Sequence, residues 1–299
     1  MLLDHLTTES RNPASERLDA LSPIELVRLM NEEDASVAVA VGKEAESIAR
    51  AIEGISDRMK NGGRLIYVGA GTSGRLGVLD AAECPPTFNS DPRQVVGVIA
   101  GGSEALVRAI EGAEDSPEQG AEDLAGIGLE GADAVVGIAT SGRTPYVLGA
   151  LEYARKQGCF TAAIACNRGA EVALRADVPI VPIVGPEILS GSTRLKAGTA
   201  TKMVLNILST GAMVRLGKTF GNLMVDLRAT NEKLRARTVR IVTATTGVSA
   251  GDAQRLLDRC GGELKTAIVA ERRGVSPAEA RRLLSGAGGR LRNALDAEV

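Results

Sequence analysis

The stretch from Leu65 to Glu83 constrains this chain more than any other. Leu65 to Val68 is a short apolar run that reads as a buried parallel strand. Gly69, Gly71 and Gly74 then let the backbone turn tightly, and Leu76, Leu79 and Ala82 recur at helical spacing. A strand, a glycine turn and a helix start form an anion site, because backbone N–H groups and the positive helix end face one point. Thr72 and Ser73 add hydroxyl donors there. Residues 134–144 repeat the pattern, and Thr-Ser-Gly-Arg occurs identically at 72–75 and 140–143. Two hydroxyl-rich turns after two buried strands suit a sugar phosphate gripped between them. A pyrophosphate clamp needs only one.

A chain of 299 residues holds one α/β domain of ordinary size and a small extra domain. It carries 35 glycines and only 2% aromatic residues, which suits close helix–sheet packing and argues against base-stacking platforms. The net charge is −2 and no basic stripe stands out, so no nucleic acid partner is expected. Cys84, Cys159, Cys166 and Cys260 show no Cys-x-x-Cys spacing, which indicates neither a zinc site nor a disulfide framework. The opening Met-Leu-Leu-Asp-His-Leu lacks a basic region and a long apolar core, and no run of about 18 apolar residues exists. The expectation is a soluble, cytoplasmic protein with no membrane partner. The single histidine, His5, is read as exposed. Ser/His/Asp, Cys/His and multi-histidine metal chemistry are thereby excluded, and proton transfer falls to carboxylates, Lys or Tyr.

Along the chain, residues 7–17 read as an irregular leader. Ser22-Pro23-Ile24-Glu25 is a helix start, and the spacing of Leu26, Leu29 and Met30, then of Ala40 to Met59, predicts two helices. Cys84-Pro85-Pro86 predicts that the helix after the first strand stops near Glu83. Further strands are expected at Val95–Ala100, Ala134–Ala139, Thr161–Cys166 and Val178–Val184. Helices are expected at Ala105–Ile110, Pro145–Gln157 and Gly198–Leu216. This alternation means a parallel, three-layer α/β/α sandwich with a five-stranded sheet. Beyond residue 236 a repeat appears at a 27-residue offset, Gly247-Val-Ser to Ala267 against Gly274-Val-Ser to Ala294. Each copy reads as two short helices broken by Gly-Gly. The expected organisation is a helical leader over 1–55, a sugar-phosphate domain over 56–235 and a helical repeat domain over 236–299.

The two Thr-Ser-Gly-Arg turns resemble those of the sugar isomerase (SIS) phosphosugar-binding domains. Further stretches narrow the resemblance: Leu6-Thr-Thr-Glu-Ser-Arg-Asn-Pro13, Gly69 to Gly77, Asp80-Ala-Ala-Glu-Cys-Pro-Pro-Thr-Phe88, Ala139 to Pro145 and Gly185 to Thr199. With the C-terminal repeat, they resemble the N-acetylmuramic acid 6-phosphate etherase family over nearly the whole chain. Glucokinase regulatory proteins share the domain but carry it twice. The resemblance implies a cytoplasmic, homodimeric lyase of cell-wall recycling that needs no metal or redox cofactor. Its reaction cleaves the lactyl ether of N-acetylmuramic acid 6-phosphate to N-acetylglucosamine 6-phosphate and D-lactate.

In the open-chain sugar, C2 is acidified by the C1 aldehyde, and the lactyl oxygen at C3 is a β-leaving group. One carboxyl group can take the C2 proton while another protonates the departing oxygen. The resemblance implies catalytic Glu83, assigned to the leaving lactate, and Glu114, assigned to C2 or to water. Thr72 and Ser73 at the first turn, and Ser141, Gly142 and Thr144 at the second, are the binding candidates. Glu187 and Ser192 follow the fifth strand, where open parallel sheets place ligands, and Lys196 could offset phosphate charge. Arg75 and Arg143 remain open between phosphate contact and structural pairing. Ser73 and Glu83 are ten residues apart on one helix, about 15 Å at 1.5 Å per residue. That exceeds the span from the C6 phosphate to C3, so a composite site across a homodimer is expected.

An aldose/ketose isomerase on this fold would also work at C2, but it needs no acid at C3. A non-catalytic phosphosugar sensor would keep Ser73 and Ser141 and tolerate loss of both glutamates. Gly69-x-Gly71-x-x-Gly74 also matches the dinucleotide fingerprint, which expects an acidic residue about 20 positions on. Strand two instead ends in Gly101-Gly102-Ser103, and a nicotinamide cofactor is not expected.

Overall fold

The computed structural model describes residues 7–227 and 232–296; His5 and Leu6 lie outside them. The chain divides into two compact units, one of residues 1–82 and 92–210, the other of 83–91 and 211–299.

In the first unit, α1 (Pro23–Gly42) starts as its sequence demands, with Pro at the first position and the Glu25 carboxylate accepting the Ser22 N–H at 2.8 Å. The second helix was expected to run from Ala40; instead α1 continues to Gly42 and α2 spans Ala45–Lys60. The turn between them is fixed by Glu44, whose carboxylate accepts the Val181 N–H at 3.1 Å. There follow β1 (Leu65–Gly69), α3 (Gly71–Phe88), β2 (Val95–Ile99), α4 (Pro117–Gly126), β3 (Ala134–Ile138), α5 (Pro145–Lys156), β4 (Phe160–Ile164), α6 (Glu171–Leu174), β5 (Val178–Ile180) and α7 (Lys196–Arg215). The five strands are parallel in the order β2-β1-β3-β4-β5. Strands β1 and β3 are buried throughout, as continuous apolar runs in a sheet covered on both faces require. Ile66, Val68, Val135 and Ala163 pack with Leu124 of α4 and with Val147 and Leu151 of α5. On the other face, Gly77 of α3 lies against Tyr67 and Ile138, and Gly54 of α2 lies against Phe160. The three-layer sandwich read from the sequence is therefore the fold of this unit.

An ion pair ties the strand entries together. The Arg64 backbone N–H, Nε and Nη2 donate to the Asp133 carboxylate at 2.8, 3.1 and 2.6 Å, and the Glu130 N–H adds a bond at 3.0 Å. Burial alone would raise the Asp133 carboxyl, but the guanidinium and the two backbone donors hold it below the ordinary 3.8. A carboxyl with a lowered folded-state pKa contributes stability that is complete above its unfolded value and fades as pH falls through the folded one. Replacing Asp133 by Asn is expected to cost about 2 kcal/mol at pH 7, because the half-buried Arg64 guanidinium loses its carboxylate and keeps only the Ile127 and Gly128 carbonyls. Urea unfolding of wild type and D133N at pH 7 and below pH 4 checks this: the gap between them narrows on acidification.

Three local expectations are corrected. Helix α3 does not stop near Glu83 but passes through Pro85 and Pro86 to Phe88, and the Asn89 N–H bonds to the Pro85 carbonyl at 2.9 Å. Proline's fixed φ is itself helical; what the pair removes is two donors, those that the Ala81 and Ala82 carbonyls would have used. Ala105–Ile110 is not an α-helix. A 3-10 turn covers Gly102–Leu106, and Arg75 donates to the Leu106 and Arg108 carbonyls at 3.1 and 2.9 Å, supplying the bonds a helix would have made. Helix α4, capped by the Ser116 hydroxyl at 3.1 Å, had not been anticipated.

After α7 the second unit holds a hairpin of β6 (Thr219–Phe220) and β7 (Leu223–Met224), also unanticipated, followed by α8 (Glu232–Thr246), α9 (Ala250–Arg259), α10 (Leu264–Arg273), α11 (Pro277–Gly286) and α12 (Leu291–Asp296). The sequence repeat is a structural repeat. Ser249 caps α9 and Ser276 caps α11, each accepting the N–H three residues on at 3.2 Å. Gly261-Gly262 separates α9 from α10 as Gly288-Gly289 separates α11 from α12, all four glycines at positive φ. Val242, Leu256, Leu257, Leu264, Ile268 and Leu284 form its core. Among the described residues, no helix is long and apolar enough to cross a membrane.

Candidate active site

In an open parallel sheet, ligands bind beyond the carboxyl ends of the strands, where neighbouring connections leave in opposite directions. With the order β2-β1-β3-β4-β5, that point lies between β1 and β3. Both Thr-Ser-Gly-Arg turns are there: one opens α3 after β1, and the other joins β3 to α5.

The first turn is built by close approach. A Cβ on Gly74 would sit 2.6 Å from the Gly69 carbonyl oxygen, so only glycine lets the helix start fold back on the strand end. Thr72 is half-buried and Ser73 is 7% exposed. The first N–H groups of α3 have no partners within the helix, which gives this end its attraction for anions. A cavity of about 340 Å³ adjoins it, lined by Ala70, Gly71, Arg75, Ala100, Glu111 and Glu114. Arg75 serves as a structural pair, holding the 102–108 turn against the mouth of the site.

The second turn is held from several directions. The Gly142 N–H bonds to the Ala139 carbonyl at 2.8 Å, and the Gly142 carbonyl accepts the Val172 N–H at 3.0 Å. Gly142 has φ +81, and a Cβ there would lie 2.4 Å from the Ala170 Cβ. Ser141 and Thr144 are half-buried, with Thr144 at the N-cap of α5. Glu114 is brought to the same place: its carbonyl accepts the Tyr146 N–H of α5 at 3.0 Å, while its side chain is exposed. The structure thus assembles Thr72, Ser73, Ser141, Gly142, Thr144 and Glu114 around the β1–β3 crevice. Glu83 is exposed on α3, in the stretch that belongs to the second unit.

Two expected binding residues have other work. Glu187 is fully buried, and its two carboxylate oxygens accept the Lys196 and Ala197 N–H groups at 2.9 Å each, capping α7. Burial raises its pKa against the lowering effect of those two bonds. The Lys196 ammonium is 2.5 Å from the Glu33 carboxylate and the residue is 3% exposed, so its charge is neutralised from α1. Both side chains are thus engaged within the protein. Ser192 stays half-buried, its N–H on the Leu189 carbonyl at 2.9 Å. The Tyr67 and Tyr146 hydroxyls are also engaged. The Tyr67 hydroxyl donates to Asp80 at 2.8 Å, and the Tyr146 hydroxyl donates to Asp123 at 2.6 Å; burial and the Asp123 charge push the Tyr146 pKa upward.

The leader stretch that carries part of the resemblance also makes long-range hydrogen bonds that the sequence did not reveal. Thr8 is fully buried and bonds to Asn167, just after β4, and Asn12 donates to Glu33 at 2.8 Å and to the Pro186 carbonyl at 3.3 Å. Turn residues of this kind have no periodicity from which such bonds could be read.

A five-stranded parallel sheet with a hydroxyl-rich turn on either side of its switch point defines a domain of the SIS class. Residues 47–155 match the family model of the glucokinase regulatory protein N-terminal SIS domain. The fold also resembles that of a Bacteroides fragilis protein described as a phosphosugar isomerase involved in capsule formation (TM-score 0.50, 19% identity, 65% of this chain and 91% of that one). The sequence is 61% identical to an N-acetylmuramic acid 6-phosphate etherase of Rhodopirellula baltica over 89% of this chain and 88% of the relative. It is 58% identical to one from Streptomyces avermitilis, over 89% and 86%. The chain belongs to the N-acetylmuramic acid 6-phosphate etherase family.

Proposed function

We propose that this chain cleaves the D-lactyl ether of N-acetylmuramic acid 6-phosphate, giving N-acetylglucosamine 6-phosphate and D-lactate in peptidoglycan recycling. The observation that carries the reading is the 61% identity to an etherase over 89% of the chain. The paired hydroxyl-rich turns at the β1–β3 crevice support it. Thr72 and Ser73 bind the phosphate with the N-terminus of α3, and Ser141, Gly142 and Thr144 hold the sugar from the other side.

The reaction is an elimination followed by hydration. Glu114 takes the C2 proton, the C2–H electrons form the C2–C3 double bond, and the C3–O bond breaks. Glu83 protonates the departing lactyl oxygen. Water then adds at C3 and a proton returns to C2. The spacing of Ser73 and Glu83 along α3 supports a composite site, in which a second copy of the chain supplies Glu83. That site makes the enzyme a homodimer, and the family resemblance makes it a cytoplasmic one.

Turnover in ¹⁸O-water with mass spectrometry of both products tests the reaction. The heavy oxygen is expected in the sugar and not in lactate, because C3–O cleavage leaves the ether oxygen with lactate. Label in lactate overturns the elimination, and binding without lactate release favours a phosphosugar sensor.

A further inference from the structure

The residue that joins the leader to the second substrate turn is Asn167, which is 1% exposed. Its Nδ2 donates to the Thr140 carbonyl at 2.9 Å and to the Thr8 hydroxyl at 3.0 Å. Its Oδ1 accepts the Thr8 backbone N–H at 3.2 Å. Both amide hydrogens and the carbonyl oxygen are thus engaged, in a geometry that no other side chain of this size reproduces. The Thr140 carbonyl belongs to the peptide that leads into Ser141, and it also accepts the Cys166 N–H at 2.9 Å. Two buried donors on one carbonyl fix the plane of the Thr140–Ser141 peptide, and with it the direction in which the Ser141 N–H points and the place from which its side chain leaves.

We propose that Asn167 is a positioning residue for substrate binding, and that Thr8 of the leader is its partner. Asn167 sets the orientation of the Ser141 turn, and the leader closes the buried side of the amide so that water does not compete for it. The proposal rests on the reading that the Ser141 turn contacts the sugar phosphate. Its effect falls on binding that ground state and transition state share, because Asn167 has no contact with the glutamates that move protons.

Asn167→Asp keeps size and shape but replaces the donor at Thr140 with an oxygen. The expected result is a rise in KM of about tenfold with kcat changed less than about twofold, the signature of lost uniform binding. The Kd for N-acetylglucosamine 6-phosphate, measured by calorimetry, should rise by the same factor. Thr8→Val, which removes one hydroxyl and keeps the backbone N–H, should raise KM by about threefold. It serves as the test if N167D does not fold. In the Ser141→Ala background, N167D should add little, since both act through one turn. A loss of kcat at constant KM, or an unchanged KM in folded N167D or T8V, overturns the proposal. If S141A itself leaves KM unchanged, the assignment of the turn to substrate is what has failed.

Discussion

Replacing Glu83 by Gln is expected to lower kcat by about 10²- to 10⁴-fold, the usual worth of a positioned acid, while KM stays within a few-fold. The side chain is exposed on α3, so its replacement costs the fold little and the lost activity reports chemistry. Glu114→Gln should lose activity to a similar degree, because Glu114 sits at the crevice between the two turns. The two variants separate in deuterium oxide. With Glu83 as acid to the lactyl oxygen, E83Q still exchanges the C2 proton of the substrate although it releases no lactate. With Glu114 as base at C2, E114Q stops exchange as well as release. Proton NMR of the substrate resonance reads both, and the reverse pattern exchanges the two roles. Mixing E83Q with Ser73→Ala subunits tests the composite site: if one copy completes the other's site, the mixed dimer regains activity that neither parent has.

Gly142→Ala is expected to be the most damaging single change in the two Thr-Ser-Gly-Arg turns. At φ +81 an alanine is strained by about 1–2 kcal/mol, and its Cβ would lie 2.4 Å from the Ala170 Cβ and 2.8 Å from the Ala170 Cα. Relief requires the turn to move off α6, breaking the bond between the Gly142 carbonyl and the Val172 N–H. The combined loss is about 3 kcal/mol of stability, read by urea unfolding. The protein that remains folded should bind N-acetylglucosamine 6-phosphate at least about tenfold more weakly. Gly126→Ala is the control, since that glycine ends α4 with nothing within 4 Å of an added Cβ. It should be neutral or slightly stabilising. Equal stability and affinity in the two variants would show that the turn has room the geometry does not give it.

The sheet and both Thr-Ser-Gly-Arg turns were legible because their signals are local. Apolar runs such as Leu65–Val68 and Ala134–Ile138 suit a parallel sheet covered on both faces, and glycines placed directly after them leave the chain few other turns. The Gly-Gly breaks and serine caps of the C-terminal repeat were legible for the same reason. Pro85-Pro86 misled because a proline pair removes donors without leaving helical φ, so the stop it usually signals did not occur.

What only the tertiary structure decided is which polar side chains are free. Glu187 and Lys196 stand in a stretch rich in hydroxyl and charged residues after the fifth strand, where Glu187 fits a ligand by position and Lys196 a phosphate by charge. Their fate depends on the start of α7 and on Glu33, a residue more than 150 positions away in the chain. Thr8 and Asn12 likewise acquire meaning only when the leader meets Asn167 and Pro186. Sequence patterns record the period of a helix or strand, because the backbone repeats. A hydrogen bond between distant side chains has no period, and it becomes visible only when the fold has brought its two ends together.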